Sequence, residues 1–222
     1  MVKGLRCCLS ITGTLIGMEQ TVRQQRALER RLRQARLPKQ KTLAGYDFDF
    51  PKRVPKTALV RLFDCDFIPR HGCAVLIGPT GTGKTHLLTA LGYTACERGY
   101  SVCYTRVVDM LNHLTTAQIN GRLAKALKIY TRPNVLFLDE LGYLPIDKRG
   151  ADLLFQVVAA RYESGSIVLT TNRPFREWGA LFDADNTLAT ALIDRLMHHG
   201  EAIVIQGDSY RMRDKKTDPP SA

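Results

Sequence analysis

The chain has 222 residues, enough for one domain with a substantial core, and its 45% hydrophobic and 24% charged residues are typical of globular proteins. No apolar run approaches the roughly 18 residues of a membrane-spanning helix, and the six cysteines form neither a C-x-x-C pair nor a zinc-ligand spacing. These features argue against a membrane protein or a zinc finger and predict a cytoplasmic protein, whereas the net charge of +11 favours a polyanionic partner.

Most of the excess positive charge lies at the N-terminal end. Residues 1–61 contain 14 Lys and Arg against 4 Asp and Glu, whereas the remainder contains 18 against 17. Residues 1–17 are atypical, and we expect them to be either disordered or a misassigned start. Residues 18–56 are expected to form a basic helix followed by an extended linker that is rich in proline.

The predicted basic helix has two different faces. Leu28, Leu32 and Ala35 follow the i, i+4, i+7 spacing of one apolar face. Four arginines, separated by steps of 3, 4 and 3, share the opposite face: Arg23, Arg26, Arg30 and Arg33. This arginine face is either a solvated surface or a DNA-binding one, and the sequence leaves both interpretations open.

Short apolar runs alternate with helical patterns over residues 57–213, the expected main domain, and residues 214–222 are expected to be a disordered tail. The pattern predicts a doubly wound α/β domain with a mainly parallel sheet. Gly99, Gly165 and Gly200 are predicted to cap the C-termini of three of its helices. The expected strands cover residues 73–77, 101–105, 135–138, 167–170 and 202–205, and the expected helices cover residues 84–98, 107–114, 121–130, 151–163 and 187–198.

A glycine-rich loop between the first expected strand and helix matches the phosphate-binding pattern G-x-x-x-x-G-K-[ST] in full. Its backbone N–H groups and the N-terminus of the following helix can surround the phosphates of ATP. Lys84 is expected to reach the β- and γ-phosphates, and the Thr85 hydroxyl is expected to bind Mg²⁺. The predicted nucleotide-binding residues are Gly78, Pro79, Thr80, Gly81, Thr82, Gly83, Lys84, Thr85 and the adjoining His86.

Two carboxylates follow a buried strand in the segment VLFLDE. Asp139 is expected to hold Mg²⁺ through water, and Glu140 is placed to orient and deprotonate an attacking water. A base that deprotonates water favours hydrolysis of ATP over transfer of phosphate to a second substrate.

Three further polar residues are candidates for sensing or stabilising the γ-phosphate. Asn172 follows the next apolar strand on the same sheet edge, and the alternative is that it only starts the turn before Pro174. Arg195 and Arg211 could supply positive charge at the γ-phosphate. For Arg195 the usual alternative is a surface ion pair with Asp194. The pair His198–His199 has no further ligand at metal spacing in the sequence and is expected to be structural.

Long stretches of the chain strongly resemble the IstB-like ATPases, the helper proteins of insertion-sequence transposases, which are related to the DnaC-type helicase loaders. The most specific stretches are LDELGYLPIDKRGADLLFQVVAARYESGSIVLTTNRPFREWG, ALIDRLMHHG and GDSYRMR. The resemblance implies a P-loop NTPase of the AAA+ class, a three-layer sandwich with strand order 5-1-4-3-2, a short N-terminal helical extension and no lid domain. It also implies a homo-oligomer that assembles on double-stranded DNA with ATP and Mg²⁺ and stimulates a partner transposase.

The resemblance assigns roles to the candidate residues. Asn172 resembles the first sensor, Arg195 the arginine that enters the site of a neighbouring subunit, and Arg211 the second sensor. Lys84 and Thr85 match the P-loop pair, and Asp139 and Glu140 match the metal-binding and catalytic acids. A second candidate DNA-binding set lies on the predicted helix 121–130: Arg122, Lys125 and Lys128.

Three other functions stay open at this point. A helicase loader would bind a replicative helicase and prefer single-stranded DNA. A small-molecule P-loop kinase would need an acceptor-binding lid and would have no use for Glu140. An inactive remnant would bind DNA through its basic helix without turning over ATP, an alternative that arises because family members usually carry a longer helical region before RALERRLRQARL.

Overall fold

The computed structural model describes residues 19, 21–51 and 53–210, and the predictions for residues 1–17, Arg211 and residues 214–222 lie outside this part of the chain. Five strands form the sheet: β1 (Cys73–Ile77), β2 (Val102–Arg106), β3 (Val135–Leu141), β4 (Ser166–Thr171) and β5 (Gly200–Val204). The helices are α1 (residues 21–35), α2 (Lys56–Phe63), α3 (Lys84–Glu97), α4 (Val107–Ile119), α5 (Leu123–Thr131), α6 (Lys148–Arg161), α7 (Trp178–Leu181) and α8 (Asn186–Met197).

All strand pairs in the sheet are parallel, in the order β2-β3-β4-β1-β5. This order is the expected 5-1-4-3-2 seen from the other edge, so the predicted topology is confirmed. The three central strands β3, β4 and β1 are buried almost throughout, as their near-continuous apolar sequences require. Because every strand runs the same way, the loops that leave their carboxyl ends meet along one edge of the sheet.

Helices cover both faces of the sheet and create two apolar cores. One core contains α1, α2 and α3, with Ala35, Leu59 and Leu88 fully buried. The other contains α4 to α8, with Met110, Val157 and the sole tryptophan, Trp178, fully buried. The result is the predicted three-layer sandwich.

The basic helix α1 is firmly attached to the helix that follows the glycine-rich loop. Leu28 and Leu32 pack against the core that α3 shares, and Nε of Arg31 donates a hydrogen bond to the carbonyl oxygen of Cys96 at 2.9 Å. Leu37 packs so tightly on α3 that a Cβ atom on Gly92 would lie 2.5 Å from its Cδ2 atom. No helix within the described ranges is long and apolar enough to cross a membrane.

Several expectations about local structure need correction. The helix α2 was not predicted, and its start at Lys56 shortens the linker. Helix α6 starts at Lys148, three residues before the expected position, because the Asp147 side chain caps it by accepting a hydrogen bond from the N–H of Gly150 at 2.9 Å. Strand β3 extends beyond Leu138 to Leu141.

Of the three predicted C-capping glycines, only Gly99 is confirmed, with a φ of 96° directly after the C-cap of α3. Gly165 lies four residues beyond the end of α6, and Gly200 is the first residue of β5. At both positions glycine is required because a neighbouring atom lies too close to leave room for a side chain. A Cβ atom would lie 2.6 Å from Nη2 of Arg161 at the first position and 2.0 Å from the Leu196 carbonyl oxygen at the second.

Candidate nucleotide-binding site

The glycine-rich loop connects β1 to α3, as predicted. Gly81 and Gly83 have φ angles of 84° and 86°, a left-handed conformation that L-amino acids with a side chain rarely adopt. At Gly83 space is also limiting, because a Cβ atom would lie 2.5 Å from Cε2 of Tyr46. The loop ends at the N-terminus of the 14-residue helix α3, whose free N–H groups and dipole favour an anion at this position.

Lys84 folds back over this loop. Its ammonium group donates hydrogen bonds to the carbonyl oxygens of Gly78 and Pro79, both at 2.7 Å, and the side chain is buried. A buried ammonium group is unfavourable without anionic or strongly polar partners. A phosphate bound in the loop would supply such a partner, so Lys84 provides positive charge where phosphate would bind.

The Asp139 carboxylate lies beside the Thr85 hydroxyl, as the sequence predicted. Thr85 Oγ1 donates to Asp139 Oδ1 at 3.2 Å, and these two oxygens belong to the type of ligand that Mg²⁺ prefers. Two partners that the sequence did not identify also donate to this buried carboxylate: Tyr104 to Oδ2 at 2.8 Å, and Thr170 to Oδ1. Burial and the Asp139 charge raise the pKa of Tyr104 above its usual range, so its hydroxyl remains a donor.

Glu140 lies in an unusual backbone conformation at the end of β3. Leu138 pairs with Leu169 and Leu141 pairs with Thr171, so Asp139 and Glu140 together face Thr170 in a β-bulge. Glu140 has a φ of 65°, a left-handed conformation that costs about 1–3 kcal/mol in a residue with a side chain.

Asn172 follows β4 on the same edge of the sheet. Its Oδ1 atom is buried and has no hydrogen-bond partner within the described residues. The same atom would lie 3.3 Å from a Cβ atom on Gly142, two residues beyond Glu140. An unpaired buried amide oxygen can accept a hydrogen bond from an added water or ligand, as the predicted sensor role requires.

The linker, for which the sequence predicted no role, forms a wall of the candidate site. A cavity of about 540 Å³ lies between the glycine-rich loop and residues 38–51. The Tyr46 hydroxyl donates to the carbonyl oxygen of Thr82 at 3.0 Å, and a ring nitrogen of His86 lies 2.9 Å from the carbonyl oxygen of Thr42. Burial, with a smaller effect of Asp47, raises the pKa of Tyr46 to about 12.

The only signal for this wall was the alternation of aromatic and acidic residues in YDFDF, which also occurs in loops without a function. Tyr210 also lines the cavity, with its ring centroid 4.9 Å from that of Phe50.

Arg195 lies away from the glycine-rich loop of its own chain. It lines a small cleft with His71, Cys73 and Glu163, near the amino end of β1, whereas the glycine-rich loop follows the carboxyl end of that strand. Its guanidinium carbon lies 4.6 Å from the centroid of the Phe155 ring, and Nη1 donates to the carbonyl oxygen of Ala191 at 3.1 Å. The expected alternative, an ion pair with Asp194, is absent from the described part of the chain.

His198 and His199 lie near the same cleft and have a neighbour that the sequence did not reveal. Ligand atoms of the two histidines and Glu163 all lie within 4.8 Å of one another on the surface. His198 Nδ1 lies 2.8 Å from the Tyr162 hydroxyl, and His199 Nε2 lies 3.7 Å from Glu163 Oε1. The structure thus supplies the further potential ligand that the sequence did not show, and the structural role of the pair stays a prediction.

Both candidate DNA-binding sets lie on the surface. Arg26, Arg30 and Arg33 are exposed and form no ion pair within the described residues, whereas Arg23 pairs with Glu19 at 2.6 Å. Arg122, Lys125 and Lys128 are exposed at the start of α5 and along it.

The parallel sheet, the glycine-rich loop and the Thr85–Asp139 pair together define a P-loop nucleotide-binding protein. The chain belongs to the IstB-like ATP-binding protein family, whose profile matches residues 7–218, and this confirms the resemblance seen in the sequence. It is 39% identical over 202 residues to a putative ATP-binding protein of insertion sequence IS5376 from Geobacillus stearothermophilus, an alignment that covers 91% of this chain and 80% of the relative.

Solved structures share the same fold. AMPPCP-bound DnaA from Aquifex aeolicus superposes with a TM-score of 0.65 and 22% identity, over 82% of this chain and 55% of that one. The DnaC helicase loader superposes with a TM-score of 0.58 and 22% identity, over 72% of this chain and 96% of that one. Identities of this size establish the fold and leave function to the site itself.

Proposed function

We propose that this protein is an ATP-dependent helper of DNA transposition that assembles on double-stranded DNA, hydrolyses ATP and recruits or stimulates a partner transposase. The observation that supports ATP hydrolysis most directly is the Thr85–Asp139 contact of 3.2 Å beside a buried Lys84. The name of the Geobacillus relative, an insertion-sequence ATP-binding protein, supports the link to transposition.

The residues of the site fit ATP with Mg²⁺. The Thr85 hydroxyl and the Asp139 carboxylate would hold the ion, which supplies charge stabilisation at the β- and γ-phosphate oxygens when it is bound. Lys84 would exchange its contacts with the loop carbonyls for phosphate oxygens. Glu140 would orient a water and accept its proton, and Asn172 would donate to or accept from that water or the γ-phosphate.

The position of Arg195 supports assembly into a homo-oligomer. Since this arginine lies near the amino end of β1, it is too far around the domain to reach the nucleotide of its own chain. A neighbouring subunit that docks this surface against the open side of the nucleotide cavity would receive the guanidinium at its γ-phosphate.

The exposed arginine face of α1 supports binding to DNA. Ten of the eleven net positive charges lie within residues 1–61, and three of the four arginines on this face lack an acidic partner in the described chain. Contacts of this kind go to phosphates, so we expect binding that tolerates sequence differences and weakens steeply with salt. Arg122, Lys125 and Lys128 could extend the same contact on α5.

The decisive experiment compares ATP hydrolysis by the wild type and by Glu140→Gln with and without double-stranded DNA. We expect DNA to stimulate the wild type, and we expect Glu140→Gln to lower kcat by about 100-fold or more while ATP binding persists. Wild-type protein without turnover in the presence of DNA would contradict the proposal and favour an inactive DNA-binding remnant.

The partner is tested separately. We expect the purified protein to capture a transposase of the insertion-sequence type and to bind double-stranded DNA in preference to single-stranded DNA. Capture of a replicative helicase with a preference for single-stranded DNA would instead make it a helicase loader.

A further inference from the structure

The proposed function requires two adjacent residues of a β-strand, Asp139 and Glu140, to act on the same nucleotide. Successive side chains of a regular strand point to opposite faces of the sheet, so Asp139 and Glu140 could not both reach one site from an uninterrupted β3. The β-bulge at this position and the positive φ of Glu140 break the alternation. Something must hold this conformation, because it is not the one that the backbone prefers.

Thr170 is the single residue of β4 that faces the bulge, and one oxygen atom of its side chain contacts both acids. Thr170 Oγ1 donates a hydrogen bond to Asp139 Oδ1, and it accepts one from the backbone N–H of Glu140 at 2.9 Å. The residue is fully buried in a central strand, between β3 and β1. The hydroxyl therefore fixes the carboxylate of one acid relative to the backbone of the next.

The other hydroxyls around Asp139 cannot replace this link. Thr85 is the residue expected to turn towards Mg²⁺ when the nucleotide binds. Tyr104 donates to Oδ2, the other carboxylate oxygen, and forms no hydrogen bond with the Glu140 backbone in the described part of the chain. Thr170 is thus the donor that remains on Oδ1 and that also reaches Glu140.

We propose that Thr170 is a positioning residue for ATP hydrolysis, which couples the metal-binding carboxylate of Asp139 to the orientation of Glu140. This inference rests on the proposed function. Loss of the hydroxyl leaves the partly buried N–H of Glu140 without its acceptor and removes one of the donors to Asp139 Oδ1, so the link between the two acids is lost in one step.

The test uses three variants in a DNA-stimulated ATPase assay. Thr170→Val keeps the shape but removes the hydroxyl, Thr170→Ser keeps the hydroxyl, and Thr94→Val is the control. Thr94 is a half-buried residue of α3 whose hydroxyl donates only to the carbonyl oxygen of Ala90, at 3.2 Å. Thr170→Ala removes the same hydroxyl and replaces Thr170→Val if that variant does not fold.

We expect Thr170→Val to lower kcat about tenfold or more, with KM for ATP within about threefold of the wild type. Thr170→Ser should recover kcat to within about threefold, and Thr94→Val should behave as the wild type. A wild-type kcat in Thr170→Val would overturn the inference. So would equal losses in Thr170→Val and Thr170→Ser, since the missing methyl group or altered packing would then be responsible.

Binding of a fluorescent ATP analogue separates this inference from the proposed function. If the wild type has no turnover, hydrolysis is refuted, but the coupling can still be measured as the gain in affinity that Mg²⁺ produces. We expect Thr170→Val to lose most of this gain and to bind the analogue as the wild type does without Mg²⁺. A full Mg²⁺ gain in Thr170→Val would refute the coupling through Asp139.

Discussion

A buried arginine connects several elements at the edge of the sheet opposite the glycine-rich loop. The Arg161 guanidinium is 1% exposed and donates to four backbone carbonyl oxygens, at distances from 2.8 to 3.2 Å: those of Tyr130, Thr131, Asn134 and Ser166. These carbonyls belong to the end of α5, the turn before β3 and the first residue of β4. Burial lowers the pKa of Arg161 to about 10, so the group remains charged at neutral pH.

We expect Arg161→Lys to lower the free energy of unfolding by about 2–4 kcal/mol, because an ammonium group cannot reach four acceptors arranged for a planar fork. Urea denaturation measures this change. The matched control is Arg173→Lys, since Arg173 is exposed and pairs with Glu177 at 3.2 Å, and we expect a change below about 0.5 kcal/mol there. Similar losses of stability in both variants would contradict the role of the buried Arg161 guanidinium.

The placement of the candidate site residues could be predicted from the sequence at the level of single residues. Lys84, Thr85, Asp139 and Asn172 all lie along one sheet edge because each is at or just beyond the carboxyl end of a strand in a parallel sheet. Thr170 and Tyr104 could not be predicted, since a hydroxyl in an apolar strand gives no sign of the partner that it meets across the sheet. Arg161 could not be predicted either, because an arginine near the end of a helix is normally exposed to water.

At the scale of elements, the periodic segments were predictable and the irregular ones were not. Every expected strand and helix exists, with ends displaced by a few residues. The bulge in β3 depends on pairing with β4, and the placement of residues 38–51 depends on aromatic contacts with α3, so neither follows from local sequence. Gly165 and Gly200 were wrongly predicted as helix C-caps for a related reason. Glycine is required both where φ is positive and where another atom approaches closely, and the sequence does not distinguish the two causes.

The helix α1 allows a quantitative test of DNA binding. We expect the double variant Arg26→Gln/Arg30→Gln to reduce the slope of log K against log salt by about two, since each lost phosphate contact removes nearly one unit. Fluorescence anisotropy with a double-stranded oligonucleotide at several salt concentrations measures the slope.

The control for α1 is Arg61→Gln/Arg70→Gln, which changes the net charge equally. Arg61 already pairs with Glu201 at 3.0 Å, and Arg70 donates to the carbonyl oxygen of Asp66 at 2.9 Å. We expect this double variant to keep the wild-type slope. Equal reductions in both double variants would mean that net charge, and not the α1 surface, governs the affinity.

At the scale of the whole molecule, the residues of the proposed shared site lie near opposite ends of the strands. Lys84 lies at one end and Arg195 near the other, so a shared site predicts complementation between subunits. We expect Arg195→Ala and Lys84→Ala each to lack DNA-stimulated turnover, and an equal mixture to recover up to about a quarter of the wild-type rate. Each active contact in the mixture would combine an intact Lys84 with an intact Arg195.

The mixture is measured with the same ATPase assay at constant total protein. Wild-type turnover by Arg195→Ala alone would remove this arginine from the mechanism. Absence of recovery in a mixture that still co-assembles would place the required arginine elsewhere.

The antiparallel bridge between Arg53 and Gln206 brings two distant parts of the chain together over the glycine-rich loop. Residues 38–51 and Tyr210 line the same cavity, so a molecule that fills it would contact segments that lie before and after the sheet in the chain. ATP should then shield the bonds after Lys39 and Lys41 from trypsin.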